Sequence, residues 1–162
     1  MWLPRFFERA GILAGGLVQI SSALPISAGE GDADPMSGMT VLIVDDSSVM
    51  RKIVERALRQ AGLELSRVVE AGSGREGLDA LGKEKVDLIV SDINMPNMDG
   101  LEFLRQMQSR SLAQGAPVVM ITTEGGEEHV REALAAGAQG YIRKPFTPDQ
   151  VRDRVLPLLG VS

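Results

Sequence analysis

At 162 residues and 44% hydrophobic content, the chain can build one domain with a real core and has residues to spare. A net charge of −5, with no basic run or basic–aromatic patch, argues against nucleic acid as a partner. The absence of cysteine excludes disulfides, zinc–thiolate sites and thiol nucleophiles together, and the single histidine, His129 in "EEHVREAL", reads as part of a solvated helix face.

Residues 1–38 differ from the rest of the chain: they are rich in Gly and Ser and show no helical or strand period. Arg5 and Arg9 precede an apolar stretch at 10–20, which resembles a weak secretory signal. Glu8, Gln19 and the intervening glycines weaken that reading, and cleavage points after Ala23 or Ala28 are only passable. The stretch is also too short to span a bilayer as a helix, so no membrane association is expected. A start at Met36 or Met39 is the other reading. The expectation is a disordered or spurious extension over 1–38, ahead of a domain over 39–162.

From Thr40 the pattern is regular. "TVLIVDD" is an apolar run ending in acid. "SSVMRKIVERALRQAG" carries apolar residues at 49, 50, 53, 54, 57, 58 and 61, a helical stripe that Gly62 should terminate. "SRVVEA" is a short strand. Ser73 and Glu76 have capping-box spacing ahead of the next helix. "VDLIVSD" is a strand that ends on Asp92. Asp99 and Glu102 repeat the capping-box spacing and start a helix over about 101–108. "PVVMITT" is a strand, and the helix in "EEHVREALAAG" should place Val130, Ala133 and Leu134 on one face. "AQGYIRKP" holds the last strand. Thr147, Pro148 and Gln150 start the last helix, which Pro157 should end or bend. Five strand–helix alternations, with three of the strands apolar on both faces, predict an α/β fold: a doubly wound, five-stranded parallel sheet with right-handed crossovers and helices on both faces.

The strand ends then carry the chemistry. The first ends on Asp45-Asp46, the third on Asp92, the fourth on Thr122-Thr123, and Lys144 follows the fifth. Parallel strands put these ends on one edge, which is where open α/β sheets bind ligands. Taken singly, the two acids could favour a helix N-terminus, Thr122 could be strand filling, Tyr141 a half-buried aromatic and Lys144 a surface lysine. Together they form a set. Three carboxylates would repel one another and raise each other's pKa, and a hard divalent cation such as Mg²⁺ relieves that. Carboxylate, Mg²⁺, lysine and hydroxyl make a phosphoryl-handling site, with Asp92 as the acceptor.

"LIVDDSSVMR", "LIVSDINMPNMDG", "MITTE" and "YIRKPF" resemble the marks of the response-regulator receiver domain, and the resemblance covers residues 39 to about 159. "DDSSVMR" and "DINMPNMDG" further resemble single-domain chemotaxis regulators of the CheY type. The resemblance implies a flavodoxin-like strand order 2-1-3-4-5. It implies Asp92 as phosphoacceptor, with Asp45, Asp46, Asp92 and the backbone carbonyl of Asn94 holding Mg²⁺. It gives Lys144 the phosphoryl oxygen, beside a cis Lys–Pro bond, makes Thr122 the switch hydroxyl and puts Tyr141 at the switch aromatic position. Asn94 and Glu124 fall at the positions that tune dephosphorylation. Thr123 departs from the small residue usual there, which bears on access to the site.

The function implied is a single-domain response regulator in a cytoplasmic two-component phosphorelay, serving chemotaxis or motility. A histidine kinase writes the signal, and a downstream protein such as the flagellar motor switch reads it. No output domain follows Ser162, so the output is expected on the face of the fourth helix, fifth strand and fifth helix, about 127–137, 138–143 and 147–158. Such a domain catalyses only its own phosphotransfer and autodephosphorylation. The alternative is an Mg²⁺-dependent, aspartate-nucleophile phosphohydrolase of the haloacid-dehalogenase type. That class needs its nucleophile in a D-x-D pattern on the first strand, where this chain has Ser47 and Ser48 two residues after its acids. A purely structural pseudo-receiver would lack one of the acids, the threonine or the lysine.

Overall fold

The three central strands of the computed structural model, which describes residues 38–123 and 125–160, are short, largely apolar runs, while the two edge strands carry polar, exposed residues. The order is β1 (Met39–Val44), α1 (Ser48–Gln60), β2 (Leu65–Ala71), α2 (Gly74–Lys83), β3 (Leu88–Asp92), α3 (Gly100–Ser109), β4 (Val118–Thr122), α4 (Glu127–Ala135), β5 (Gly140–Arg143) and α5 (Pro148–Val155), closed by a 3-10 turn at Leu156–Leu159. The strands form one parallel sheet in the order β2-β1-β3-β4-β5. The expectations for residues 1–37 and for Glu124 lie outside the described residues.

Successive strand residues point to opposite faces, which splits the core in two. Leu42, Val44, Ile89 and Met120 pack with Leu78 and Leu81 of α2, Phe103, Leu104 and Met107 of α3 and Ala133 of α4. Val41, Ile43, Leu88, Val90, Val119 and Ile121 pack with Val54, Ala57 and Leu58 of α1 and Val151 and Val155 of α5. Register sets the site: Val44 pairs with Ser91, Asp92 with Ile121 and Thr122 with Arg143, so the acids, the threonine and the residue before Lys144 reach one edge together.

The helix ends follow the sequence closely. Gly62 has φ 103; its N–H bonds Arg59 O, and Leu63 N–H bonds Leu58 O, so the orphan carbonyls of α1 are closed by a Schellman motif. Thr147 and Gln150 form the full reciprocal box at α5. The other two boxes are incomplete. Ser73 accepts from Glu76 N–H, but the Glu76 carboxylate reaches one residue further back, to Gly72 N–H at 2.8 Å. Asp99 accepts from Glu102 N–H at 2.8 Å, while the Glu102 carboxylate accepts from Gln106.

Two predicted helix faces are wider than the sheet can cover. In α1, Val49 and Ile53 are 69% and 45% exposed, and in α4, Leu134 is 49% exposed. A helix lying on a sheet buries one narrow stripe; periodicity gives its direction and overstates its width. Replacing Phe103, which is fully buried, with alanine should therefore cost about 3–5 kcal/mol. Leu134→Ala should stay within about 0.5 kcal/mol. Denaturant midpoints of the two variants check the contrast.

Candidate functional site

β1 continues for one residue past its last paired side chain, because Asp45 N–H still bonds Ala71 O on β2 at 3.0 Å. This carries the Asp45 carboxylate into the edge, where it is 4% exposed. Its Oδ1 accepts from Ser47 N–H at 2.9 Å and its Oδ2 from Lys144 Nζ at 3.4 Å. Ser47 meanwhile caps α1, its hydroxyl accepting from Met50 N–H at 3.1 Å. Asp46, the next residue, is exposed.

Asp92 is the last residue of β3 and is 7% exposed. Its Oδ1 accepts weakly from Asn94 N–H at 3.4 Å and lies 3.5 Å from Lys144 Nζ. The loop after it must fold back at once, since Gly100 N–H bonds Ile93 O at 2.8 Å. A Cβ on Gly100 would run into Asp92 O and Ile93 Cα, so only glycine lets α3 start this close to the strand end. Thr122 is fully buried, and its Oγ1 accepts from Asn94 Nδ2 at 3.3 Å. Lys144 is brought alongside by its own N–H, which bonds Thr122 O at 2.7 Å, and the Lys144–Pro145 bond is cis, as expected.

Asp45, Asp46 and Asp92 can each offer a carboxylate oxygen within 4.8 Å of the others. Two buried acids share one ammonium, so the set is short of positive charge. Burial pushes the Asp92 carboxyl above the usual carboxylate range; Lys144 offsets part of that, and Asp45 adds to it. An all-oxygen, anionic donor set of this size suits a hard divalent cation.

The edge thus brings together Asp45, Asp46, Asp92, Asn94, Thr122 and Lys144. Thr123 stands exposed just past β4. Tyr141 is half-buried on β5, paired in register with Met120, and lines an open groove beside the cluster with Val130, Arg143, Asp153 and Arg154. Sequence reasoning missed Arg51, whose Nη1 donates to Asp45 O at 2.6 Å. Its signal was a cation in the first half of a helix, the end that disfavours positive charge.

A carboxylate triad, a buried hydroxyl and a lysine on one edge of a 2-1-3-4-5 parallel sheet define a phosphoryl-accepting signalling domain. The chain belongs to the response regulator receiver domain family, which its residues 41–156 match. It is 42% identical over 125 residues to the chemotaxis protein CheY homolog of Campylobacter jejuni, covering 76% of this chain and 95% of that one. It is 42% identical over 127 residues to chemotaxis protein CheY1 of Helicobacter pylori, covering 76% and 99%. Among solved structures, chemotaxis response regulator CheY4 of Vibrio cholerae aligns with a TM-score of 0.65 at 39% identity, over 74% of this chain and 98% of that one. The receiver domain of the putative response regulator NarL from Mycobacterium tuberculosis aligns with a TM-score of 0.67 at 28% identity, over 76% and 97%. Among the described residues no helix is long and apolar enough to cross a membrane.

The raised Asp92 pKa has a consequence for the cation-free protein. Below the ordinary aspartate value, about 3.9, Asp92 is neutral whether folded or unfolded and costs nothing. As pH rises from there to the raised folded value, the unfolded chain ionises first and stability is lost; above it the loss is constant. Asp92→Asn should therefore be more stable than the native chain at neutral pH without divalent cation, and the advantage should shrink on acidification. Melting temperatures of the two proteins across that range check the sign.

Proposed function

We propose that Asp92 is the phosphoacceptor of a single-domain response regulator. The observation that carries this reading is the sharing of Lys144 Nζ between the buried carboxylates of Asp45 and Asp92, at 3.4 and 3.5 Å. A carboxylate oxygen of Asp92 attacks phosphorus on a histidine-kinase phosphoimidazole. A P–O bond forms as the P–N bond breaks, and the imidazole leaves. Lys144 then pairs with a phosphoryl oxygen. Mg²⁺, held by Asp45, Asp46, Asp92 and the Asn94 carbonyl, supplies charge neutralisation at the equatorial oxygens when bound. Thr122 exchanges its Asn94 contact for the phosphoryl group, and Tyr141 follows it inward from the groove.

Residues 39–162 form the receiver, with 1–38 an extension outside it. The similarity to chemotaxis proteins supports a motility role in the cytoplasm, with a histidine kinase upstream and a protein target, such as the flagellar motor switch, on the α4–β5–α5 face. The net charge of −5 supports a protein partner over nucleic acid. The phosphohydrolase alternative is disfavoured by Ser47, which occupies the second D-x-D position and is committed to capping α1.

Incubation with acetyl phosphate and Mg²⁺ should label the native chain once, and Asp92→Asn should take no label; full labelling of that variant at one site would refute the assignment. Asn94 and Glu124 favour a short-lived aspartyl phosphate because an amide and a carboxylate can both orient water. Asn94→Lys should slow loss of the label, and Thr123→Ala should speed it modestly by opening the approach. Decay of the label in the three proteins, with Mg²⁺ present, measures both effects.

A further inference from the structure

Arg51 is held at two ends. Its Nη1 donates to Asp45 O at 2.6 Å, and its Nε donates to Glu70 Oε1 at 2.7 Å. Glu70 stands on β2 immediately before Ala71, whose carbonyl receives Asp45 N–H. The second oxygen of Glu70 accepts from Lys52 Nζ at 2.7 Å. Hydrogen bonds from Lys52 and Arg51 hold the Glu70 carboxyl below its ordinary pKa, so it stays an anion. The side chains of Arg51 and Glu70 are 17% and 29% exposed.

The placement is unfavourable by itself. A cation in the first half of a helix opposes the macrodipole, and ordering a long side chain loses rotamer freedom. Paired, charge-assisted bonds offset both effects. What they fix is the peptide between Asp45 and Asp46: β2 takes its preceding N–H, and Arg51 takes its carbonyl. Among the described residues no side chain holds the Asp46 carboxylate by hydrogen bond or ion pair. Its position therefore depends on that peptide plane.

We propose that Arg51 and Glu70 are a positioning pair that locks the Asp45–Asp46 peptide so that the exposed Asp46 carboxylate joins Asp45 and Asp92 around a divalent cation. The pair acts through the backbone and touches neither cation nor phosphoryl group. This inference rests on the cation-binding reading above.

Arg59 supplies the control. It makes the same kind of tie at the far end of α1, with Nη1 donating to Leu65 O at 3.1 Å and Nε to Glu55 at 3.2 Å, away from the acids. Calorimetric titration of the full chain with Mg²⁺ is the test, alongside melting temperature without Mg²⁺. Arg51→Ala should lower Mg²⁺ affinity by roughly tenfold or more, the scale expected when a group that orients a ligand is lost. Glu70→Gln, which keeps the shape and the fold, should lower it in the same direction by less, and the double variant should be no worse than Arg51→Ala. Arg51→Lys should recover only part, because one ammonium reaches one acceptor well. Arg59→Ala should lower the melting temperature about as much as Arg51→Ala and leave Mg²⁺ affinity unchanged. Native affinity in both Arg51→Ala and Glu70→Gln, or an equal loss in Arg59→Ala, overturns the positioning role while leaving the cation site standing. A native chain that does not bind Mg²⁺ overturns both.

Discussion

Lys144 is shared between Asp45 and Asp92, and the sheet edge is arranged around that shortage of positive charge. A carboxylate taken out of water destabilises the fold unless donors or charges meet it. The chain meets it with loop N–H groups, from Ser47 toward Asp45 and from Asn94 toward Asp92, and with one ammonium. Each of these depends on a turn that begins the moment a strand stops. Ser47 must cap α1, Gly100 must let α3 return onto Ile93, and Lys144 must hang from Thr122 O. The packing of two apolar layers on either face holds the strand ends in register, and that stability sustains a site left incompletely neutralised.

The sheet was readable because its three central strands are apolar on both faces, the pattern of covered parallel strands. Its acids were readable because they interrupt that pattern at the last position. Three helix starts were readable from Ser73, Asp99 and Thr147; these, and Ser47 at α1, accept from the N–H three residues on. What failed was width and reach. Val49, Ile53 and Leu134 belong to the right helical period but lie beyond the sheet's cover. Glu76 was placed correctly in sequence, yet its side chain is long enough to choose Gly72 N–H over the cap's own. Spacing fixes which residues are neighbours and leaves open which atom a flexible side chain selects.

Arg51 was illegible for a related reason. Its partners, Asp45 O and Glu70, are six residues before it and nineteen after it, and one of them is a main-chain carbonyl that no side-chain pattern encodes. Only the electrostatic oddity of Arg51-Lys52 near a helix start hinted that an anion lay across from it. Glu70, on edge strand β2, is that anion. The network therefore joins the outermost strand to the acid pair, and it does so outside the cluster, where it does not consume the cluster's negative charge.

Asn94 shows why that last distinction matters. Its backbone N–H reaches Asp92 and its side-chain amide reaches Thr122, so one short neutral residue spans the ends of β3 and β4. Thr122 is fully buried, and Asn94 ties its hydroxyl to the loop whose N–H faces Asp92. A longer cation at position 94 would complete the neutralisation of the acids from within the chain and remove the shortage. An amide links the two strand ends without doing so. The shortage of positive charge at Asp45, Asp46 and Asp92 is thus preserved by what stands next to it: a neutral Asn94 inside, and an Arg51 whose charge is taken up by Glu70 and a carbonyl outside. A fully neutralised edge would be more stable and would have no reason to take up a cation; the retained deficit leaves the edge able to accept one.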